Sequence, residues 1–258
     1  MRDLLGQARL ELRYEPVEKR VRVGDVVDTT HALLVWEPRR VVPSYAVPEE
    51  AIRPAPSPAS RDDAHADGVL HPGVAFAVHT AAGEPVTIAG RAGAGFRLED
   101  LPGYVELDFA AFDEWFEEDE RIFGHPRDPY HRVDVRQSSR PVRVEIDGEL
   151  VAETTRARLL FETNLPLRFY LPRDDVRGDL RAGTRERTSC PYKGHASYWS
   201  LGDREDVAWS YEQPLADAVA IAGLVAFWDE RVDVYLDGER RDRPRGPISA
   251  ALRDEFGV

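Results

Sequence analysis

Only one cysteine, Cys190, occurs in the 258 residues. No intrachain disulfide can form, and a zinc site built on several thiolates is excluded. A reducing compartment fits this usage. Basic residues are outnumbered, 34 against 47 acidic, for a net charge of −13. Such a surface repels phosphate backbones and anionic bilayers, so neither nucleic acid nor membrane is an expected partner. No apolar run approaches a membrane span, and residues 1–7 lack the apolar stretch of a signal peptide. The expectation is a soluble cytoplasmic protein, and nothing in it forbids self-association. Metal spacing is also missing. The seven histidines include no His-Glu-x-x-His pair. His65, His71 and His79 flank one loop and could meet an acid, but they read as surface histidines. No metal and no cofactor are expected. Ser197 and Ser210 lack the Gly-x-Ser-x-Gly elbow of one hydrolase class.

What the chain has is repetition. Thr29-Thr30-His31-Ala32-Leu33-Leu34-Val35-Trp36-Glu37 is echoed by Thr154-Thr155-Arg156-Ala157-Arg158-Leu159-Leu160-Phe161-Glu162. Pro48-Glu49-Glu50-Ala51-Ile52-Arg53 is echoed by Pro172-Arg173-Asp174-Asp175-Val176-Arg177. A tetrapeptide, Arg132-Val133-Asp134-Val135, recurs as Arg231-Val232-Asp233-Val234. The period is too long for a solenoid and predicts two tandem copies of one domain. The first copy spans 1–135 and the second 136–258, divided near the polar stretch 136–140. Residues 53–68 are Pro, Ala, Ser and Asp with few large apolar side chains, and read as a mobile loop inserted in copy one.

Short alternating segments predict a mainly β protein with few short helices. Leu10-Glu11-Leu12-Arg13-Tyr14 and Val142-Arg143-Val144-Glu145-Ile146 read as half-buried strands, and Asp147-Gly148 as a tight turn to a returning strand at 149–153. Strands are also expected at 158–162 and 167–171, with a hairpin joining 224–228 to 232–236. Helices are expected at 215–222 and at 109–120, where Phe109, Phe112, Trp115 and Phe116 would share a face and Glu117-Glu118-Asp119-Glu120 would form a solvated end. Gly90-Arg91-Ala92-Gly93-Ala94-Gly95 does not lead from a buried strand into a helix, so it is a poor phosphate cradle.

The densest chemistry lies in copy two, at Cys190-Pro191-Tyr192-Lys193-Gly194-His195-Ala196-Ser197-Tyr198-Trp199 and Ala208-Trp209-Ser210-Tyr211. Three readings follow. In the first, Tyr192, Tyr198, Trp199, Trp209 and Tyr211 wall a pocket for a small polar or anionic molecule, with Lys193 and His195 as polar contacts. In the second, an enzyme uses Cys190 as nucleophile, His195 as base and Lys193 beside them. In the third, the aromatics are the core of a structural or interaction module.

The stretch Arg140-Pro141-Val142-Arg143-Val144, Asp147-Gly148, Thr154-Thr155, Tyr170-Leu171-Pro172, Cys190-Pro191-Tyr192-Lys193-Gly194, Ala208-Trp209-Ser210-Tyr211 and Ile221-Ala222-Gly223 resembles the domain-of-unknown-function family 427. The resemblance covers nearly all of copy two. Copy one is similar in its first half, and it offers only His71-Pro72-Gly73 where copy two has the Cys-Pro-Tyr-Lys-Gly element. The resemblance implies a β-tent-like fold in each copy, and it carries a nucleotidyltransferase-like label. The sequence has no Gly-Ser dipeptide and no Asp-x-Asp, so the two-metal phosphoryl chemistry of such enzymes is not expected.

Overall fold

A computed structural model describes residues 10–60, 68–245, 249–250, 253 and 257. It divides into two units, Met1–Pro129 and Tyr130–Val258. The division falls before the polar stretch 136–140, because the strand Val133–Gln137 already pairs with Arg158–Glu162 of the second unit. Both units are mainly β, as the alternation predicts, and none of the described helices is long and apolar enough to cross a membrane.

In the N-terminal unit a seven-stranded antiparallel sheet runs in the order Arg13–Pro16, Leu33–Trp36, Ser44–Pro48, Tyr104–Leu107, Arg91–Leu98, Gly83–Ile88, Ser57–Pro58. A four-stranded sheet runs Glu120–Ile122, Trp115–Glu117, Val21–Val23, Val27–Thr29. In the C-terminal unit the large sheet runs Val133–Gln137, Arg158–Glu162, Arg168–Leu171, Val225–Phe227, Arg204–Tyr211, Gly194–Leu201, Leu180–Ala182. Its small sheet runs Glu239–Arg240, Asp233–Leu236, Val142–Ile146, Glu149–Thr154. Strand order and chain order agree element for element between the units. The added piece is Thr188–Cys190, which pairs with the start of Gly194–Leu201.

The recurring sequences carry this agreement into detail. Thr29 Oγ1 accepts the His31 amide (3.1 Å), and Thr154 Oγ1 accepts the Arg156 amide (2.9 Å). The Pro-x-acid segments both make a 3-10 turn, Glu49–Ala51 and Arg173–Asp175. Both then bridge to the small sheet, Ile52 to Val27 and Val176 to Ala152. The tetrapeptide echo is different. Val133–Gln137 lies in the large sheet and Asp233–Leu236 in the small sheet of the same unit, so Arg-Val-Asp-Val does not mark equivalent strands.

Each unit has two apolar layers. One fills the space between its sheets: Val21, Val23 and Val27 meet Leu34, Val47, Val86 and Val105, as Val142, Val144 and Val151 meet Leu159, Phe169, Leu171 and Val225. The other lies on the opposite face of the large sheet, at Val35, Ala46 and Phe96 in one unit and Leu160, Tyr170 and Trp209 in the other. Alternation along each strand assigns neighbouring residues to opposite layers.

Several expectations are corrected. Residues 109–120 are not a helix but a 3-10 turn, Phe109–Ala111, followed by the hairpin Trp115–Glu117 and Glu120–Ile122. The acid run turns that hairpin, with Glu118 at φ 51°. Phe and Trp favour pleated surfaces, and pairing of Trp115–Glu117 with Val21–Val23 outweighs the helical spacing. Residues 215–222 hold only the 3-10 turn Ala216–Ile221. Val225–Phe227 and Asp233–Leu236 form no hairpin, since the chain changes sheets between them. Of residues 53–68, Ser57–Pro58 form an edge strand against Val86 and Thr87, while 61–67, with His65, fall outside the described residues. Gly95 sits where a Cβ would be 2.7 Å from Ile88 Cδ1 and Val105 Cγ1, so its role is close strand packing.

Candidate functional site

The Cys-Pro-Tyr-Lys-Gly element makes the turn between Thr188–Cys190 and Gly194–Leu201. The register sets Ser189 opposite His195 and Cys190 opposite Gly194. Directly opposed residues share a face and neighbours alternate. Cys190 and His195 therefore face opposite sides of the hairpin. His195 is exposed, and its Nδ1 lies 2.8 Å from Ser189 Oγ. Cys190 is partly buried against the outer aromatic layer. The arrangement does not form a thiol–imidazole couple.

The five sequence-selected aromatics do not share one wall. Tyr198 is paired with Trp209, and with Tyr211, Tyr170 and Trp228 they form the outer layer. Trp199 points the other way, packs on the inter-sheet core and donates Nε1–H to Ser210 Oγ (2.7 Å). Tyr192 is buried and stacks on His131, with ring centroids 4.0 Å apart.

Lys193 is the best-placed of the sequence candidates. Its turn carries the ammonium under the outer layer, where it bonds the carboxylate of Glu162. Glu162 ends its strand two residues beyond Leu160 and shares that residue's face. His131 Nε2–H donates to the other Glu162 oxygen (3.0 Å). Burial pushes Glu162 up, but Lys193 and the hydrogen bonds from His131 and Lys193 outweigh it and hold the carboxyl below the ordinary range. Burial likewise lowers Lys193, and Glu162, with Cys190 and Tyr170, more than reverses that, so the ammonium stays charged.

A second charged group lies on the same face. Arg168 makes a bidentate bond to Glu230, both contacts 2.8 Å, with Asp229 at 3.5 Å. Its guanidinium carbon lies 5.5 Å from the centre of the Trp209 ring and 5.7 Å from that of Trp228. Burial, only partly offset by Arg168, pushes Asp229 up to about 6. Trp209 Nε1–H donates to Tyr170 Oη (3.0 Å), and burial pushes the Tyr170 phenol up to about 12. Glu162, His131, Arg168, Asp229 and Glu230 were not selected from sequence. Their separations in the chain carry no motif, and the one signal was the matched Glu37 and Glu162 of the Thr-Thr repeat.

The N-terminal unit places charge at the corresponding position. Glu37 accepts from His79 Nδ1–H (2.9 Å) and from the amides of Thr80 (2.7 Å) and Ala81 (2.9 Å). The His79 side chain is only 8% exposed, contrary to the surface reading, and lies flat on Phe96 at 3.5 Å. Glu106, opposite Ala46 and Phe96, is also buried, and burial first, then Glu37, pushes its carboxyl up to about 8. The matching pair in the other unit is Tyr170 opposite Ala226. The phenol there stands on the strand that carries Ala46 here, and the carboxylate here on the strand that carries Ala226 there.

Residues 134–238 match the model of a family described as a domain of unknown function (DUF427). The match lies wholly within the C-terminal unit. No curated protein matches the chain.

Proposed function

We propose that the protein consists of two copies of one β module, and that the C-terminal copy binds a small polar molecule on the outer face of its large sheet. The supporting observation is the Glu162–Lys193–His131 group set among Tyr170, Tyr192 and Tyr211. A buried ion pair offers little net stability over apolar residues of the same volume. Shifted ionisable groups gathered on one aromatic face are the expected mark of a binding site. Both buried cations already hold carboxylates, Lys193 with Glu162 and Arg168 with Glu230. An anion would meet no uncompensated charge there, so the ligand is a neutral or zwitterionic molecule that hydrogen-bonds to this group. The register, which turns Cys190 away from His195, favours binding over a nucleophilic role for the thiol. A net charge of −13 argues against a nucleic-acid partner, and a lone thiol fits a reducing, cytoplasmic setting.

The test is a thermal-shift screen of neutral and zwitterionic metabolites on the wild type and on the double variant Glu162→Gln/Lys193→Met, which removes both charges together. A compound that raises the wild-type Tm and leaves the double variant unmoved is expected. A library without effect, or a compound that stabilises both proteins equally, would refute the reading.

A further inference from the structure

Glu37, His79 and Glu106 each present one ligand atom, and these atoms lie within 4.8 Å of one another. We propose that they form a binding site for one divalent first-row transition-metal ion. The proposal concerns the N-terminal unit and stands without the ligand reading of the C-terminal one.

The independent observation is Glu106. It is 1% exposed and on a central strand, and neither of its oxygens meets full hydrogen-bond geometry, with the Ser44 hydroxyl of the neighbouring strand the one hydrogen-bond donor among the described residues close enough to interact. A buried carboxyl is costly in this state whether charged or neutral, because even the protonated form needs a donor and an acceptor. One hydroxyl leaves a two-oxygen carboxyl short of partners, and such a group calls for a further one. Glu106 is aimed at two groups already held in place. Glu37 is fixed by the Thr80 and Ala81 amides, and His79 by the flat contact with Phe96 and the edge of Phe76 at 4.8 Å. Fixed ligands with outer partners of this kind are what metal centres use.

The donor set narrows the ion. One imidazole and two carboxylates suit zinc, manganese or iron, whereas magnesium and calcium prefer oxygen alone. In a tetrahedral site with bonds of about 2.0–2.1 Å, neighbouring ligand atoms are about 3.3 Å apart, so the widest separation needs to close by at most about 1.5 Å, while Glu37 and His79, at 2.9 Å, are already close enough. Charge also fits. Asp108 lies close enough to interact with His79 and Arg40, and the Arg40 Nε is 3.8 Å from Glu37 Oε1. Three carboxylates against one guanidinium leave a formal charge of −2 when all are ionised, which a divalent ion cancels. Bound metal takes the place of any proton on the ligand atoms, so uptake is opposed at low pH.

The experiment strips the full-length protein with chelator, adds zinc ion, removes the excess by gel filtration, and measures bound zinc and Tm. Wild type should retain about one equivalent and melt higher with zinc than without. Glu106→Gln, nearly isosteric, should keep the apo circular dichroism spectrum, retain no zinc and show a zinc-independent Tm. Should that variant not fold, His79→Gln carries the same comparison. No retained zinc in the wild type, or wild-type retention in the folded variants, would overturn the site.

Discussion

Lys193 bonds the Glu162 carboxylate with side chains 9% and 3% exposed, 31 residues apart in the chain. Neither charge has water to fall back on. Removing one partner leaves the other buried and uncompensated, which costs about 3–5 kcal/mol. Lys193→Ala and Glu162→Ala should each lose stability of this order in urea unfolding. The double variant Glu162→Gln/Lys193→Met should lose much less than the sum of the two single changes. Additive losses would mean that the pair is not coupled.

Asp229 gives stability a definite pH dependence. Its folded value of about 6 lies above the unfolded 3.8, with Arg168, Glu230 and Arg241 around it. The folded state therefore holds the proton more tightly. The cost of ionising Asp229 is absent below the unfolded value, grows between about pH 4 and 6, and is complete above. Glu162 acts in the opposite sense: its lowered value adds stability above its unfolded range, lost as pH falls through the folded one. Asp229→Asn should gain on the wild type by about 2 kcal/mol between pH 4 and 7, read from urea curves. A constant difference across that range would contradict the assignment.

Cys190 should react independently of His195. Its face of the hairpin is opposite that of His195. Alkylation of the native protein by iodoacetamide should proceed at the same rate in wild type and His195→Ala across pH 6 to 9, within about twofold. A marked slowing in the variant at neutral pH would restore the enzyme reading.

Local turn chemistry made part of this fold readable. Asp147-Gly148 is a tight turn because both residues take positive φ, 53° and 81°, which few other pairs accept. Val142–Ile146 alternates buried and partly buried along its length, as its sequence does. The Thr-Thr repeat was readable because its hydroxyl makes the same local bond in both units. Other features depend on strand pairing and leave no local trace. Phe109, Phe112 and Trp115 have a helix-like spacing, but Trp115 Nε1–H donates to the Phe109 carbonyl (3.0 Å) and its strand pairs with Val21–Val23. The site was half legible. Lys193 stood out beside its aromatics, while its partner Glu162, and His131, which bonds Glu162, come from distant strands and loops. Glu37, His79 and Glu106 are brought together only by sheet register and a loop, so no ligand spacing could reveal them.

The binding claim is tested most directly by the indole N–H resonances of the five tryptophans. Trp36 and Trp115 report on the N-terminal unit, and Trp199, Trp209 and Trp228 on the C-terminal one. Trp209 and Trp228 lie on the outer aromatic face and Trp199 on the inter-sheet side. Titration with a compound that stabilises the wild type should shift Trp209 and Trp228 saturably, with Trp36 and Trp115 unmoved. Shifts confined to Trp36 or Trp115, or none at Trp209 and Trp228 under saturating ligand, would contradict the account.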